Sequence, residues 1–141
     1  MAVPEGERGE GRFSLPIHAE ELVRYTMIIT ANDKVFTPAY QRALTDDIID
    51  TAKNIYLDIR EANDISVRVG TPFHLDDFRE RNRLQREAYR YTKRLLYLMD
   101  LAHRIFHLET KRVHYWTGLV LEVKDRLYGW IESDKLRFGA P

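Results

Sequence analysis

Between Leu84 and Ile105 the apolar positions are Leu84, Ala88, Tyr91, Leu95, Leu98, Ala102 and Ile105, in alternating steps of four and three. That is the heptad seam of a helix packing along a neighbour. The pattern predicts a helix from about Leu75 to His107, with Asp76 and Asp77 in its first turn, where the helix dipole favours acids. A second seam follows at Val113, Trp116, Val120, Val123, Leu127 and Trp130, predicting a helix from Lys111 to about Ser133. The short connection Leu108–Thr110 forces these two helices to run antiparallel.

Upstream, Tyr40, Leu44, Ile48, Ala52, Ile55, Ile59 and Ala62 mark one face of another helix. Pro38 suits its first turn and Thr37 its N-cap. Asp46, Asp47 and Asp50 then read as acids near its start, favoured by the dipole rather than a metal cluster. Ser14 and Pro16 read as the start signal of a first helix, about His18 to Asn32, with Leu22, Tyr25 and Ile29 inward. Ile65, Val67 and Val69 alternate with polar residues in the Asn63–Pro72 connection. A lone alternating run without a partner is an extended loop.

These elements predict an all-α, up-down antiparallel four-helix bundle. The domain is expected over residues 15–134, between a flexible tail at 1–14, rich in glycine and charge, and a loose tail at 135–141. A charge at Leu95 or Val120 is expected to unfold it.

Composition narrows the functional classes. The chain has 141 residues, with 22 basic and 22 acidic side chains and no cysteine. Disulfides, thiolate nucleophiles and cysteine-held metals are thereby excluded. No apolar run approaches the ~20 residues of a membrane span, and Met1–Arg12 lacks a signal-peptide core. A cytoplasmic location is expected. His103, His107 and His114 could be read as a zinc site, but His103 and His107 fall at outward positions and the metalloprotease spacing is missing. Gly-rich phosphate loops and nucleophile elbows are also missing. No catalytic residue, metal or cofactor is therefore expected, and no enzyme.

What remains is the distribution of charge. Phe78–Arg94 holds seven basic residues against Glu80 and Glu87. With Ala88 at heptad position a, Arg79, Arg83, Arg86, Arg90 and Lys93 fall at f and c, opposite the seam, over ~21 Å of helix. With Arg94 they form a candidate nucleic-acid-binding stripe, rich in the residue type that grips phosphate bidentately. Charged outward faces are also what solvated helices look like. Trp116 and Trp130, at seam positions, read as core rather than as base-stacking groups. On the last helix Tyr115, Gly118, Leu121 and Tyr128, with Gly129, make a second apolar stripe that a lone bundle leaves wet. Such stripes mark partner sites, so a closed homo-oligomer is expected through them.

A set of scattered positions carries a resemblance. Asn32, Phe36, Tyr40, Leu44, Asp46 and Ile48 are followed by Asn54-Ile55-Tyr56 and Glu61-Ala62-Asn63. Leu84-Gln85, Tyr115-Trp116-Thr117-Gly118, Val123-Lys124 and Trp130 complete it. In this order and spacing, over about residues 16–134, the chain resembles the accessory variability determinant proteins of diversity-generating retroelements. Those belong with the four-helix bundle proteins of 23S ribosomal RNA intervening sequences. The resemblance implies a homopentamer without catalysis that binds the element's reverse transcriptase and template RNA, or an RNA/DNA hybrid, and supports mutagenic cDNA synthesis. Where the family has basic residues entering helix two, this chain has Phe36-Thr37-Pro38-Ala39 and Asp46-Asp47. RNA contact is therefore expected on helix three. The rival reading is a protein-binding helical adaptor without nucleic-acid contact.

Overall fold

The computed structural model describes residues 5–32, 36 and 41–139, with side chains from Ser14 onward except that of Gln41. The expected cap Thr37, together with Pro38 and Tyr40, lies outside the described residues. Four helices follow one another: α1 (Glu5–Thr30), α2 (Gln41–Asp64), α3 (His74–Phe106) and α4 (Thr110–Phe138). Each packs on its chain neighbours and α4 closes back on α1, while no diagonal pair meets among the described residues. Residues near opposite ends of adjacent helices meet. Arg81 in α3 touches Asp134 in α4, and Trp116 in α4 donates its indole N–H to the Thr26 hydroxyl of α1 at 3.0 Å. This is the expected four-helix bundle.

Its core holds Leu15, Leu22, Ile29, Ile48, Ile55, Ile59, Leu95, Trp116, Val120 and Leu127, all essentially inaccessible to water. Each such aliphatic side chain contributes ~1.5–3 kcal/mol on burial. Phe36 plugs one end of the bundle, its ring edge-on to Phe106 at 5.4 Å and to Trp116 at 6.4 Å.

The seam of α3 differs from the expected one by a rotation. Ala88, Leu95 and Ala102 are buried as expected, and so is Leu84. Tyr91 and Leu98 are only half-buried, and Ile105 is 52% exposed. The buried line instead runs Arg81, Gln85, Ala88, Thr92, Leu95, Met99 and Ala102, keeping steps of four and three but replacing position d by e. Polar groups hold these places because each finds a partner. The Thr92 hydroxyl donates to the Tyr89 carbonyl at 2.6 Å, and the Gln85 amide donates to Asp134 at 2.7 Å. Thr26, Thr30 and Thr51 are buried by the same back-bonding to their own helices. A hydroxyl satisfied this way does not carry the desolvation cost of an orphaned one.

Three boundaries also move. α1 begins at Glu5 and passes through Pro16, so Ser14 and Pro16 do not start it and the tail expected to residue 14 is helical from Glu5. Leu15, Ala19 and Leu22 are fully buried at helical spacing, and this burial holds the helix through a residue that removes one N–H from the ladder. α4 runs on to Phe138 rather than loosening after Lys135. Phe138 is buried, and its carbonyl lies 2.9 Å from His74 Nε2. The first turn of α2 holds no acid, so Asp46, Asp47 and Asp50 lie beyond the strongest part of its dipole.

The 65–73 connection is an extended loop anchored to α3. Arg68 grips the Asp77 carboxylate through Nε and Nη2, both at 2.8 Å, and its backbone N–H donates to the same group. These bonds from Arg68 hold the Asp77 carboxyl down at about 2. Gly70 turns the loop at φ 77°, a region closed to most side chains. His107 ends α3 in the left-handed region, at φ 53°.

Candidate nucleic-acid interface

The basic stripe lies on the solvent side of α3, where Arg79, Arg83, Arg86, Arg90, Lys93 and Arg94 are all exposed. Arg81 is not among them. Although its neighbours in sequence are stripe members, it occupies the buried seam. Its guanidinium meets Asp134 at 2.6 Å, donates to the Ile65 carbonyl at 2.8 Å and lies over the Trp130 ring.

The exposed members fall into two halves. In the first, Arg83 lies between Glu80 at 2.7 Å and Glu87 at 3.2 Å. The hydrogen bond to Glu80 pushes the guanidinium further above its ordinary range, and the same bond lowers the Glu80 carboxyl. Arg86 donates to the Asn82 side chain at 2.9 Å. Both acids of this half are engaged by Arg83, so its three exposed cations face two carboxylates.

In the second half the acids stop. From Ala88 to Met99 the helix carries none. Arg90, Lys93 and Arg94 make no ion pair among the described residues. They share this stretch with Tyr89, Tyr91 and Tyr97. Arg90, Tyr91, Lys93, Arg94 and Tyr97 line one open recess of about 290 Å³. On the flank facing α4, the Lys93 and Lys124 ammonium groups lie 5.0 and 5.2 Å from the Tyr89 ring centre. α4 thus adds a cation, Lys124, that the stripe read from α3 alone does not contain. Its signal in the sequence would have been its place one position beyond the buried Val123.

Beneath the first half lies a carboxyl pair. Asp58 of α2 is 7% exposed, and its Oδ2 is buried without a donor. Burial, and then the neighbouring Glu87 carboxylate, push its carboxyl up to about 7. Protonated, it donates to Glu87, whose other contact is Arg83.

The stripe expected to hold a partner on α4 is open to solvent. Tyr115 is 57% exposed, Leu121 41% and Tyr128 52%. Gly118 and Gly129 are exposed, and a Cβ built on either meets nothing within 4 Å. Within one chain, neither glycine is required by a close neighbour. Tyr115 stands edge-on to Tyr25 of α1 at 4.9 Å, and Tyr128 lies beside Tyr89 at 6.0 Å.

His103, His107 and His114 do not converge. Among the described residues no group of three or more histidines and carboxylates is arranged to hold a metal ion. No described helix is long and apolar enough to cross a membrane. No family model matches the chain, and no curated protein or solved structure matches it. The resemblance to accessory variability determinant proteins therefore rests on the residues of the sequence alone.

Proposed function

We propose that this chain is a non-enzymatic, RNA-binding accessory factor of a diversity-generating retroelement. In this reading it is a cytoplasmic homo-oligomer that docks on the element's reverse transcriptase and holds template RNA during mutagenic cDNA synthesis. The observation that carries the RNA contact is the acid-free stretch of α3 at Arg90, Lys93 and Arg94, without ion pairs among the described residues and interleaved with tyrosines. Unpaired guanidinium and ammonium groups are the form in which phosphate is bound, because no internal partner must be displaced first. The retroelement setting, the reverse transcriptase and the number five come from the resemblance. The assembly is supported by the exposed Tyr115, Leu121 and Tyr128 beside two open glycines.

Equilibrium binding of RNA across a salt series tests the contact. Three phosphate contacts per protomer give a slope of about −2 in log K against log salt for a single strand. Binding that ignores salt would contradict it. The second reading, a protein-binding adaptor, is favoured by the same exposed α4 face. It wins if the protein captures the reverse transcriptase yet binds no RNA at low salt.

A further inference from the structure

Resting on the proposed RNA contact, we infer that the α3 site takes single-stranded RNA, with Tyr97 as a platform on which an unpaired base stacks. Tyr97 is 74% exposed, the most exposed of the described phenylalanine, tyrosine and tryptophan residues. The other tyrosines of this face are occupied. Tyr89 lies between two ammonium groups and against Tyr128, and Tyr91 packs on the core as the floor of the recess. The Tyr97 ring has no ring or cation partner within the chain among the described residues. Lys93 and Arg94 stand one turn before it and Arg90 two turns before it, all lining the same recess.

The ligand class follows from what each part can touch. Arg90, Lys93 and Arg94 reach phosphates of any nucleic acid. An isolated aromatic face adds binding only where a base face is free, and in an A-form duplex the base faces are stacked inside the helix. In a single strand the bases splay from the backbone and stack on exposed aromatics while the phosphates follow neighbouring cations. Arg90 to Tyr97 spans ~10 Å of helix, room for one stacked base and its adjoining phosphates. Stacking is tolerant of base identity, so little sequence preference is expected.

The test is fluorescence anisotropy at low salt with the full chain and three probes: oligo(A) RNA, its duplex with oligo(U), and an abasic strand of the same length. Oligo(A) is expected to bind about tenfold tighter than the other two. Tyr97→Ala is expected to raise the oligo(A) Kd by about tenfold and leave the abasic strand unchanged. Tyr97→Phe keeps the ring and is expected to bind like the parent. Tyr97 lies outside the core, so these variants are expected to retain the parent's helicity. If the duplex binds as tightly as oligo(A), or Tyr97→Ala loses nothing while RNA still binds, the stacking site is wrong and the RNA-binding reading stands. If no probe binds, both fall together.

Discussion

Arg81 and Asp134 close the α3–α4 seam with a guanidinium–carboxylate pair, Nε to Oδ2 at 2.6 Å, in which the Asp134 side chain is fully buried. Gln85 donates to the same carboxylate, and Arg81 lies over the rings of Trp130 and Phe138. Removing one partner strands the other charge away from water. Asp134→Ala and Arg81→Ala are each expected to cost about 3–5 kcal/mol in denaturant unfolding. Replacing both by apolar residues of similar volume, Arg81→Met with Asp134→Leu, is expected to cost far less. A double-variant loss equal to the sum of the two single losses would show that the pair is not coupled.

The pair also shows how far the sequence could be read. The α3 and α4 helices and the buried tryptophans follow from apolar spacing, and their antiparallel packing from the short Leu108–Thr110 connection. The same spacing hid the two charges, because a search for apolar residues stops at Leu84 and Trp130. Yet Arg81 lies seven before Ala88, and Asp134 four after Trp130. Continuing each seam by its own period reaches both residues. The d-to-e rotation in α3 was not legible for the same reason. Gln85 and Thr92 look like surface residues until their hydrogen-bond partners are known, and those come from Asp134 and from the helix backbone. The basic stripe was visible, but its division was not, since only geometry shows that Glu80 and Glu87 engage Arg83 while Arg90 and Arg94 stay unpaired among the described residues.

The rotated seam has a direct test in thermal melting. Met99 is 1% exposed, and Ile105, the more apolar choice from sequence, is 52% exposed. Met99→Ala is expected to cost about 2–5 kcal/mol. Ile105→Ala is expected to stay within about 1 kcal/mol. The reverse order would restore the seam through Tyr91, Leu98 and Ile105.

Asp58 makes stability depend on pH. Its carboxyl is raised in the folded chain to about 7, above the ordinary carboxylate value, so the folded state binds the proton more tightly than the unfolded state. The stabilisation is complete below about pH 4 and is lost as pH rises through about 7. Unfolding free energy is expected to fall by on the order of 2 kcal/mol over that window. Asp58→Asn, which donates to Glu87 without titrating, is expected to flatten it. Asp77, held down by Arg68, acts in a separate window, its contribution being lost below about pH 4. A wild-type stability that does not fall between pH 5 and 8 would remove Asp58 as the cause.

The α4 glycines separate folding from assembly. Gly118 has open space for a Cβ within its own chain, so Gly118→Ala is expected to stabilise an isolated bundle by about 1 kcal/mol. If another copy approaches there, the same change weakens the assembly. Light scattering on a sizing column is expected to show a parent several times its 16.7 kDa chain mass, and a Gly118→Leu variant that is smaller but fully helical. A monomeric parent at micromolar concentration would refute the oligomer.

RNA binding by the second half of the stripe is measured most directly by charge reversal at Arg90 and Arg94. Both are exposed and outside the seam, so Arg90→Glu with Arg94→Glu is expected to leave helicity and mass unchanged. Arg83→Gln, removing a cation already engaged by Glu80 and Glu87, is the control. In anisotropy at low salt with oligo(A) RNA, the double variant is expected to lose at least tenfold in affinity and the control less than about threefold. A double variant that binds RNA as tightly as the parent, with unchanged helicity, would contradict the assignment of this face as the nucleic-acid site.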